Sequence, residues 1–443
     1  MTDLRGKLAR LFQGAGPTET ETSSVELVSP AHPDEARRAR IAGLRALIAE
    51  KERVDRNSLR TKPLARAVPR DRGLPGTVEE TPLGPLHRVT NYLLPGHRHG
   101  RIAIADALRA RASSMAALAL DPTLAEIDPS RMLFLDTETT GLSGGTGTLP
   151  FLIGMAWFED ESLKVEQLLL RRPGEEAPML TRLAERFAWA SCVVTYNGKS
   201  FDWPLLRTRA VMNRVRVPAP RAHLDLLHAS RRVFGARVGS ARLVTMEEAV
   251  LGMHRERDID GAEIPALYWT FVRNSEGHVL VPVIEHNAND LVALAALVAV
   301  LDERWSAPAA HHDPEDRVSI ARVAIRGEHH RFALEVASRV ADEDPPPRIA
   351  YEALTVGADA ARKLKEPHTE LSLLSRAIDL CGDHPKVRDA HLRMAICLEH
   401  RHRDPKRALT HAELAGEDAR RHARLTRKIE RKERAKQRRP RAG

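Results

Sequence analysis

The sequence predicts an α/β domain, a sheet covered by helices on both faces, followed by an all-α domain of helical repeats. Two observations support this prediction. Between residues 131 and 210, apolar runs and amphipathic segments follow one another in the order three strands, helix, strand, helix. From about residue 315, helix-like stretches recur with a spacing of roughly 38 residues. The first domain should therefore hold a sheet and the second only helices.

Composition limits the classes of protein to consider. A chain of 443 residues with 42% hydrophobic residues is long enough for two or more domains with their own cores. Its cysteines, Cys192, Cys381 and Cys397, are scattered and odd in number, which favours a reducing compartment over a disulfide framework or a cysteine-based zinc site. The N-terminus lacks a signal-like apolar core, and apolar runs of spanning length contain charges. We therefore expect a soluble cytoplasmic protein without a membrane partner.

The positive charge is concentrated at the C-terminus. The formal net charge is +9, with a pI near 9.7, which suggests an anionic partner. From Arg420 to the end, twelve Lys and Arg face two Glu, a local excess of roughly +10. This basic tail, residues 420–443, contains almost no large apolar residue, so a packed role is not expected. We predict an electrostatic anchor for nucleic acid; the alternative is a solvated helix end.

Composition shifts divide the chain further. Residues 1–75 are rich in polar residues and proline, and predict a mostly disordered arm carrying one amphipathic helix. The α/β domain is expected to cover residues 76–310, and the helical domain residues 315–419, with the joint in SAPAAHHDPED. Near the start of the first domain, a hairpin is predicted around Gly84 and Pro85. The GHRHG segment that follows is expected to be a solvated loop, not a metal site.

Two acids end the first buried strand of this domain. Residues 132–135, MLFL, form an apolar run typical of a central strand. Because side chains alternate along a strand, Asp136 and Glu138 should point to the same side, about 6–7 Å apart. Two neighbouring carboxylates repel each other, and a bound divalent metal is the usual reason for keeping such a pair. A lone Asp-x-Glu is more often a polar strand end before a turn.

Two later stretches supply further candidates. Asp202 opens a helix after the turn at Tyr196 and Asn197, where it would lie beside the first two acids at the carboxyl edge of the sheet. The alternative is an ordinary acid favoured by the helix dipole. His286 and Asp290 are four residues apart and share one helical face. They could be a surface pair, but the apolar helix beyond Asp290 must be buried, which favours a site.

Five segments together resemble a known family. They are FLDTETTGLSGGTGTLPFLIG, VVTYNGKSFDWPLLRTR, HLDLLHASRRVF, LGMHRERDIDGAEIPALYW and IEHNANDLVAL. In this order they are similar to the YprB-like ribonuclease H-like domain family, related to the DEDD 3′-5′ exonucleases, over roughly residues 80 to 305. The resemblance implies a ribonuclease-H-like mixed sheet flanked by helices. It also implies an acidic metal-binding quartet, matched here by Asp136, Glu138, Asp202 and Asp290.

The resemblance leaves the general base open. Related exonucleases use a His five residues before the last acid or a Tyr four residues before it, whereas His286 occupies the four-residue spacing. Four carboxylates can hold two Mg²⁺ or Mn²⁺ ions, one activating water and the other stabilising the leaving oxygen of a phosphodiester. His286 would orient or deprotonate that water. The expected function is a metal-dependent nuclease, a 3′-5′ exonuclease on DNA or RNA. The alternative is a catalytically silent nucleic-acid-binding adaptor, but a complete quartet favours the enzyme.

The remaining candidates lie near the quartet or far from it. Lys199, with Tyr196 and Asn197, could reach a substrate phosphate; a solvated turn lysine is the alternative. Three further acids are interpreted as supporting or loop residues, not ligands: Asp225, Asp258 and Asp260. The C-terminal repeats resemble tetratricopeptide-like helix pairs. Such repeats would bind a protein partner or serve as a helical cap for the first domain.

Overall fold

A seven-stranded mixed sheet underlies the first part of the chain. The computed structural model describes residues 73–141, 147–256, 258–310, 313–382, 385–416 and 419–437. These residues belong to one unit, Arg70–Gly443. The strands are β1 Thr77–Thr81, β2 Gly84–Leu93, β3 Arg98–His99, β4 Ile102–Ala103, β5 Met132–Thr139, β6 Pro150–Glu159, β7 Ser162–Leu169, β8 Cys192–Thr195 and β9 His223–Asp225. The arm predicted for residues 1–75 falls almost wholly outside the described residues.

The strand order brings particular strand ends together. The large sheet has the order β1-β2-β7-β6-β5-β8-β9, while β3 and β4 form a separate pair. Within this sheet, β1, β2, β7, β6 and β5 are each antiparallel to the next strand in the order, whereas β5, β8 and β9 run parallel to one another. The predicted hairpin is present, with its turn between Thr81 and Gly84. Because β5, β8 and β9 are parallel, their carboxyl ends meet at one edge of the sheet, where the candidate acids follow.

Helices cover both faces of this sheet. They are α1 Ala112–Ala119, α2 Glu176–Trp189, α3 Asp202–Met212, α4 Leu226–Val238, α5 Leu243–Met246, α6 Ile264–Asn274 and α7 Val281–Ser306. The four apolar residues at the start of β5 are at most 1% exposed, as expected for a central strand. In α7 every residue from Leu291 to Asp302 is buried.

The helix α7 is long and apolar enough to span a membrane by length and composition. It is the one such helix in the part of the chain that the structure describes. Its apolar window is 72% buried inside the protein, against the sheet and the neighbouring helices. A helix covered by protein in this way is a core helix, so α7 gives no support for a membrane span.

The C-terminal part is all-helical, which confirms the predicted fold class. Its helices are α8 Pro314–Arg326, α9 His330–Asp342, α10 Pro347–Lys363, α11 Pro367–Cys381, α12 Val387–His400, α13 Pro405–Ala415 and α14 Ala419–Gln437. The first of them packs against the α/β domain: Asp316 is buried and pairs with Arg237 of α4 at 2.8 Å. Ile320 and Val323 lie in the same core cluster as β5. The core of the first domain therefore extends into α8.

The basic tail is partly packed. Leu425 is fully buried in the core of the helical region. The buried carboxylate of Glu399 pairs with Arg424 at 3.0 Å and with Lys428 at 2.7 Å. These contacts hold the first half of α14 against the preceding helices. The expectation that the tail has no packed role is therefore wrong for that half, because Leu425 enters the core and Glu399 binds two of the tail's cations. Residues 438–443 lie outside the described part.

Candidate active site

Three elements bring the predicted acids together at the carboxyl edge of the sheet. Asp136 and Glu138 project from the end of β5, Asp202 is the first residue of α3, and His286 and Asp290 lie on α7. Ligand atoms of Glu138, His286 and Asp290 all lie within 4.8 Å of one another. Asp202 is fixed by a hydrogen bond from the hydroxyl of Thr137, and it is close enough for its charge to act on both Asp136 and Glu138. The five predicted residues thus form one cluster.

The turn before α3 explains how Asp202 reaches this cluster. Asn197 adopts a left-handed backbone conformation, with φ of 67°. The carboxylate of Asp225, at the end of β9, accepts the backbone N–H of Asn197 at 2.8 Å and that of Lys199 at 3.1 Å. A Cβ atom at Gly198 would lie 2.5 Å from the side chain of Thr195, so the turn requires glycine there. Asp225 therefore acts as a clamp on the turn, in agreement with its predicted supporting role.

Burial and mutual repulsion perturb the acids of the cluster. Burial, and then the charges of Asp290, Glu138 and Asp202, hold the pKa of Asp136 well above its usual range. Burial also raises the pKa of Glu138 to about 7 and that of Asp202 to about 6. For Asp290 burial raises the pKa, although His286 and Arg255 oppose it. A cation bound among these oxygens would relieve the repulsion, and hard oxygen donors suit Mg²⁺ or Mn²⁺.

Arg255 is a member of the site that the sequence did not reveal. Its side chain is only 5% exposed, and its guanidinium pairs with Asp290 at 2.5 Å, Glu247 at 2.7 Å and Asp258 at 2.9 Å. Because a buried arginine stays charged, it compensates one end of the acidic cluster permanently. In the segment RERDID, residues 255–260, the sequence indicates possible site residues only among the acids, because nothing distinguishes Arg255 from the many other arginines of the chain.

His286 is oriented by Asp258. The Nδ1 atom of His286 lies 2.6 Å from the Asp258 carboxylate, and Nε2 lies 3.7 Å from Asp290. A carboxylate only accepts, so Nδ1 carries the proton and Nε2 is turned toward the cluster. Burial lowers the pKa of His286, but Asp290 and the hydrogen bond with Asp258 outweigh it and raise the pKa overall. Asp258 is thus the partner of the histidine, while Asp260 lies in an exposed loop.

The GHRHG segment contributes a buried residue. His97 is exposed, as predicted, but His99 is 3% exposed and contacts Glu247 through Nε2 at 2.8 Å. The prediction of a solvated loop is therefore wrong for His99. Glu247 in turn holds Arg255, so this histidine supports the arginine from behind. His99 and Glu247 are 148 positions apart, so no local sequence pattern predicts their contact.

The predicted substrate residues have partners within the protein. The hydroxyl of Tyr196 donates to the carbonyl oxygen of Ala241 at 2.7 Å. The ammonium of Lys199 lies 3.4 Å from Asp121 and is 40% exposed, so it can still exchange partners. Asn197 contributes its backbone to the turn held by Asp225. Contact of these three residues with substrate stays a prediction.

An amide pair lies directly behind Asp136. Asn287 is fully buried, and its Nδ2 donates to Asp136 Oδ2 at 2.8 Å. Gln167 of β7, also fully buried, donates to Asn287 Oδ1 at 2.9 Å. Sequence reasoning missed both residues. The available signal was an asparagine next to His286 on a helix whose later turns are apolar and buried, because a buried amide needs partners.

Comparison with known proteins agrees with the fold. Residues 133–302 match the family model of the RNase_H superfamily, so this part of the chain is similar to that superfamily and has a ribonuclease H-like fold. The chain is also 39% identical over 170 residues to the "Uncharacterized protein YprB" of Bacillus subtilis (strain 168). That alignment covers 38% of this chain and 41% of the relative, so the likeness spans less than half of either protein. The tetratricopeptide-like assignment of the C-terminal helices stays a prediction.

Proposed function

We propose that this protein is a metal-dependent nuclease that hydrolyses phosphodiester bonds of DNA or RNA as a 3′-5′ exonuclease. The observation that supports it most is the meeting of Asp136, Glu138, Asp202 and Asp290 at one sheet edge, with perturbed pKa values caused by burial and shared charge. Burying like charges close together costs free energy, so their presence in a folded protein favours a functional role. The ribonuclease H-like domain is the second support.

The donor set fits divalent metal ions. Asp136, Glu138 and Asp290 would hold them directly, and Asp202 would complete the set from α3. Bound there, two Mg²⁺ or Mn²⁺ ions would activate the attacking water and stabilise the leaving oxygen. His286 lies beside this set but is kept for the proton transfer, so the proposed ligands are all carboxylate oxygens, which suit Mg²⁺ or Mn²⁺.

The chain supplies the proton transfer and the balance of charge. With Nδ1 bonded to Asp258, Nε2 of His286 is the atom that would accept the proton of the attacking water. Asp258 stabilises the charged ring that results. Arg255 keeps one oxygen of Asp290 engaged, which leaves the other facing His286 and the cluster. These contacts fix the histidine and the last acid relative to each other.

A nuclease assay with matched variants tests the proposal. Purified protein with Mg²⁺ or Mn²⁺ should shorten end-labelled single strands or duplexes from the 3′ end and leave circular substrates intact. Asp136→Asn and Asp290→Asn keep size and most hydrogen bonding but remove charge, so each should abolish hydrolysis while the melting curve remains cooperative. Asp260→Asn, the same change in the exposed loop, is the control and should retain full activity.

The outcomes separate the candidate functions. Cleavage of circles would show an endonuclease, and shortening from the 5′ end would reverse the proposed polarity. Wild-type activity in Asp136→Asn would contradict the metal mechanism. Tight nucleic-acid binding without cleavage under any metal would leave the protein as a silent adaptor whose helical repeats recruit partners.

A further inference from the structure

The amide pair behind Asp136 lies in a single line across the sheet. Asp136 of β5 is paired with Gly154 of β6, and Gly154 is paired with Gln167 of β7. Residues directly opposite each other in a ladder have their side chains on the same face. Asp136 and Gln167 therefore project to the face covered by α7, with a gap above Gly154 between them. Asn287 of α7 enters this gap.

The gap that Asn287 enters exists only because residue 154 is a glycine. A Cβ atom at position 154 would lie 2.1 Å from Oδ1 of Asn287 and 2.8 Å from its Cγ. Any other residue would push the Asn287 amide away from the sheet. The φ of Gly154 is not in the left-handed region, so the glycine is required for space and not for backbone conformation. The three strands and α7 thus form a slot for one amide.

The orientation of both amides follows from one backbone carbonyl. The carbonyl oxygen of Ile284 can only accept, so the group that meets it at 2.8 Å is the NH₂ of Gln167. The same NH₂ meets Asn287 at 2.9 Å, which requires the oxygen of Asn287 on that side. The NH₂ of Asn287 is then left to face Asp136 at 2.8 Å. No alternative assignment keeps every donor opposite an acceptor.

We infer that Gln167 and Asn287 are positioning residues that set the orientation of the Asp136 carboxylate for metal binding. Asn287 holds Oδ2 of Asp136 and leaves Oδ1 for the ion, and Gln167 acts only through Asn287. This inference rests on the proposed function. Hydrogen-bond partners of a ligating carboxylate typically contribute 10–100-fold to metal affinity. Gln167 is fully buried and also donates to the Ile284 carbonyl of α7, so the double variant with Asn287 is needed to separate the amide route from a general hold on that helix.

Mn²⁺ titration of the full chain by calorimetry tests the inference. Gln167→Met keeps the length of the side chain and removes its donors, so the Asn287 amide is free to turn. We expect Mn²⁺ affinity to fall by about 10-fold or more. Asn287→Ala should cause a similar fall, and the double variant should show no further loss, because the two residues act in series. Leu168→Val, the neighbouring residue with its side chain on the opposite face, is the control for destabilisation of β7.

Melting temperature and kinetics separate positioning from general stability. Leu168→Val should lower the melting temperature while leaving Mn²⁺ affinity unchanged. In Gln167→Met the fall in kcat at low Mn²⁺ should be reversed at saturating Mn²⁺, with KM for the nucleic acid unchanged. If Gln167→Met fails to fold, Gly154→Ala, which drives a methyl group against Asn287, is measured in its place and should weaken Mn²⁺ binding similarly.

The results also distinguish this inference from the proposed function. Wild-type affinity in Gln167→Met, or additive losses in the double variant, would overturn the positioning role while the nuclease proposal stands. Absence of Mn²⁺ binding to the wild-type chain would overturn both. An equal loss of affinity in Leu168→Val would show that stability alone explains the effect.

Discussion

Removing the charge of Glu138 should stabilise the metal-free protein at alkaline pH. Burial raises the pKa of this carboxyl from 4.5 to about 7. At about 1.4 kcal/mol per pKa unit, ionising Glu138 in the folded protein costs about 3 kcal/mol. Glu138→Gln removes that cost and keeps the shape of the side chain, so about 3 kcal/mol is the upper limit of the gain. For a folded unit of this size the melting temperature would rise by roughly 3–4 °C.

The gain should depend on pH in a definite direction. Because the folded-state pKa lies above the unfolded one, the folded protein binds the proton more tightly. The wild type therefore loses stability as pH rises from about 4.5 to about 7, and the variant lacks this loss. The difference in melting temperature should be near zero at pH 4.5 and reach its full size by pH 8. Scanning calorimetry in EDTA at several pH values measures it.

A metal ion should cancel most of this difference in stability. Mn²⁺ at 100 times its Kd would stabilise the wild type by about 2.7 kcal/mol, and it should stabilise Glu138→Gln less because a ligand is missing. Glu80→Gln, on the exposed face of β1, is the matched control and should show neither effect. A Glu138→Gln protein no more stable than wild type at pH 8 in EDTA would refute the claim that burial and neighbouring carboxylates make the ionised Glu138 costly.

Three further predictions concern the base, the tail and the domain boundary. His286→Ala should lower the rate about 10²–10⁴-fold, with residual activity that rises at higher pH, as the pH–rate profile will show; an unchanged rate would exclude it as the base. Deleting residues 420–443 should weaken nucleic-acid binding and flatten its salt dependence, with turnover at saturating substrate nearly intact. Because the deletion also removes the packed Leu425, the double variant Arg431→Gln with Arg434→Gln tests the same charges without disturbing the fold. A fragment of residues 76–310 is predicted to fold alone, and extension to residue 327 should raise its melting temperature by restoring α8; if neither melts cooperatively, the boundary is wrong.

The acids of the site were predictable because each belongs to a local pattern. Asp136 and Glu138 follow an apolar run, so strand alternation puts both on one side of the sheet. Asp202 begins a helix after a turn, and His286 and Asp290 have the spacing of one helical turn. The family resemblance then indicated that these stretches meet. The strand order, the bounds of α7 and the clamp at Asp225 agree with that expectation.

The supporting residues were not predictable because their roles depend on distant pairing. Arg255 and His99 meet through Glu247, and nothing in the spacing of these residues indicates the contact. Gly154 and Gln167 matter only because the strand register puts them in line with Asp136. A periodicity describes which side a residue faces, but not which residue lies opposite. The packing of Leu425 was missed for the same reason.

Anomalous diffraction from Mn²⁺-soaked crystals of the full chain tests the central claim most directly, since it locates the ion without relying on activity. Manganese peaks should appear within bonding distance of carboxylate oxygens of Asp136, Glu138 and Asp290, and should vanish in Asp136→Asn. Manganese bound elsewhere, with none among these acids at a concentration that supports turnover, would contradict the assignment of this cluster as the metal centre.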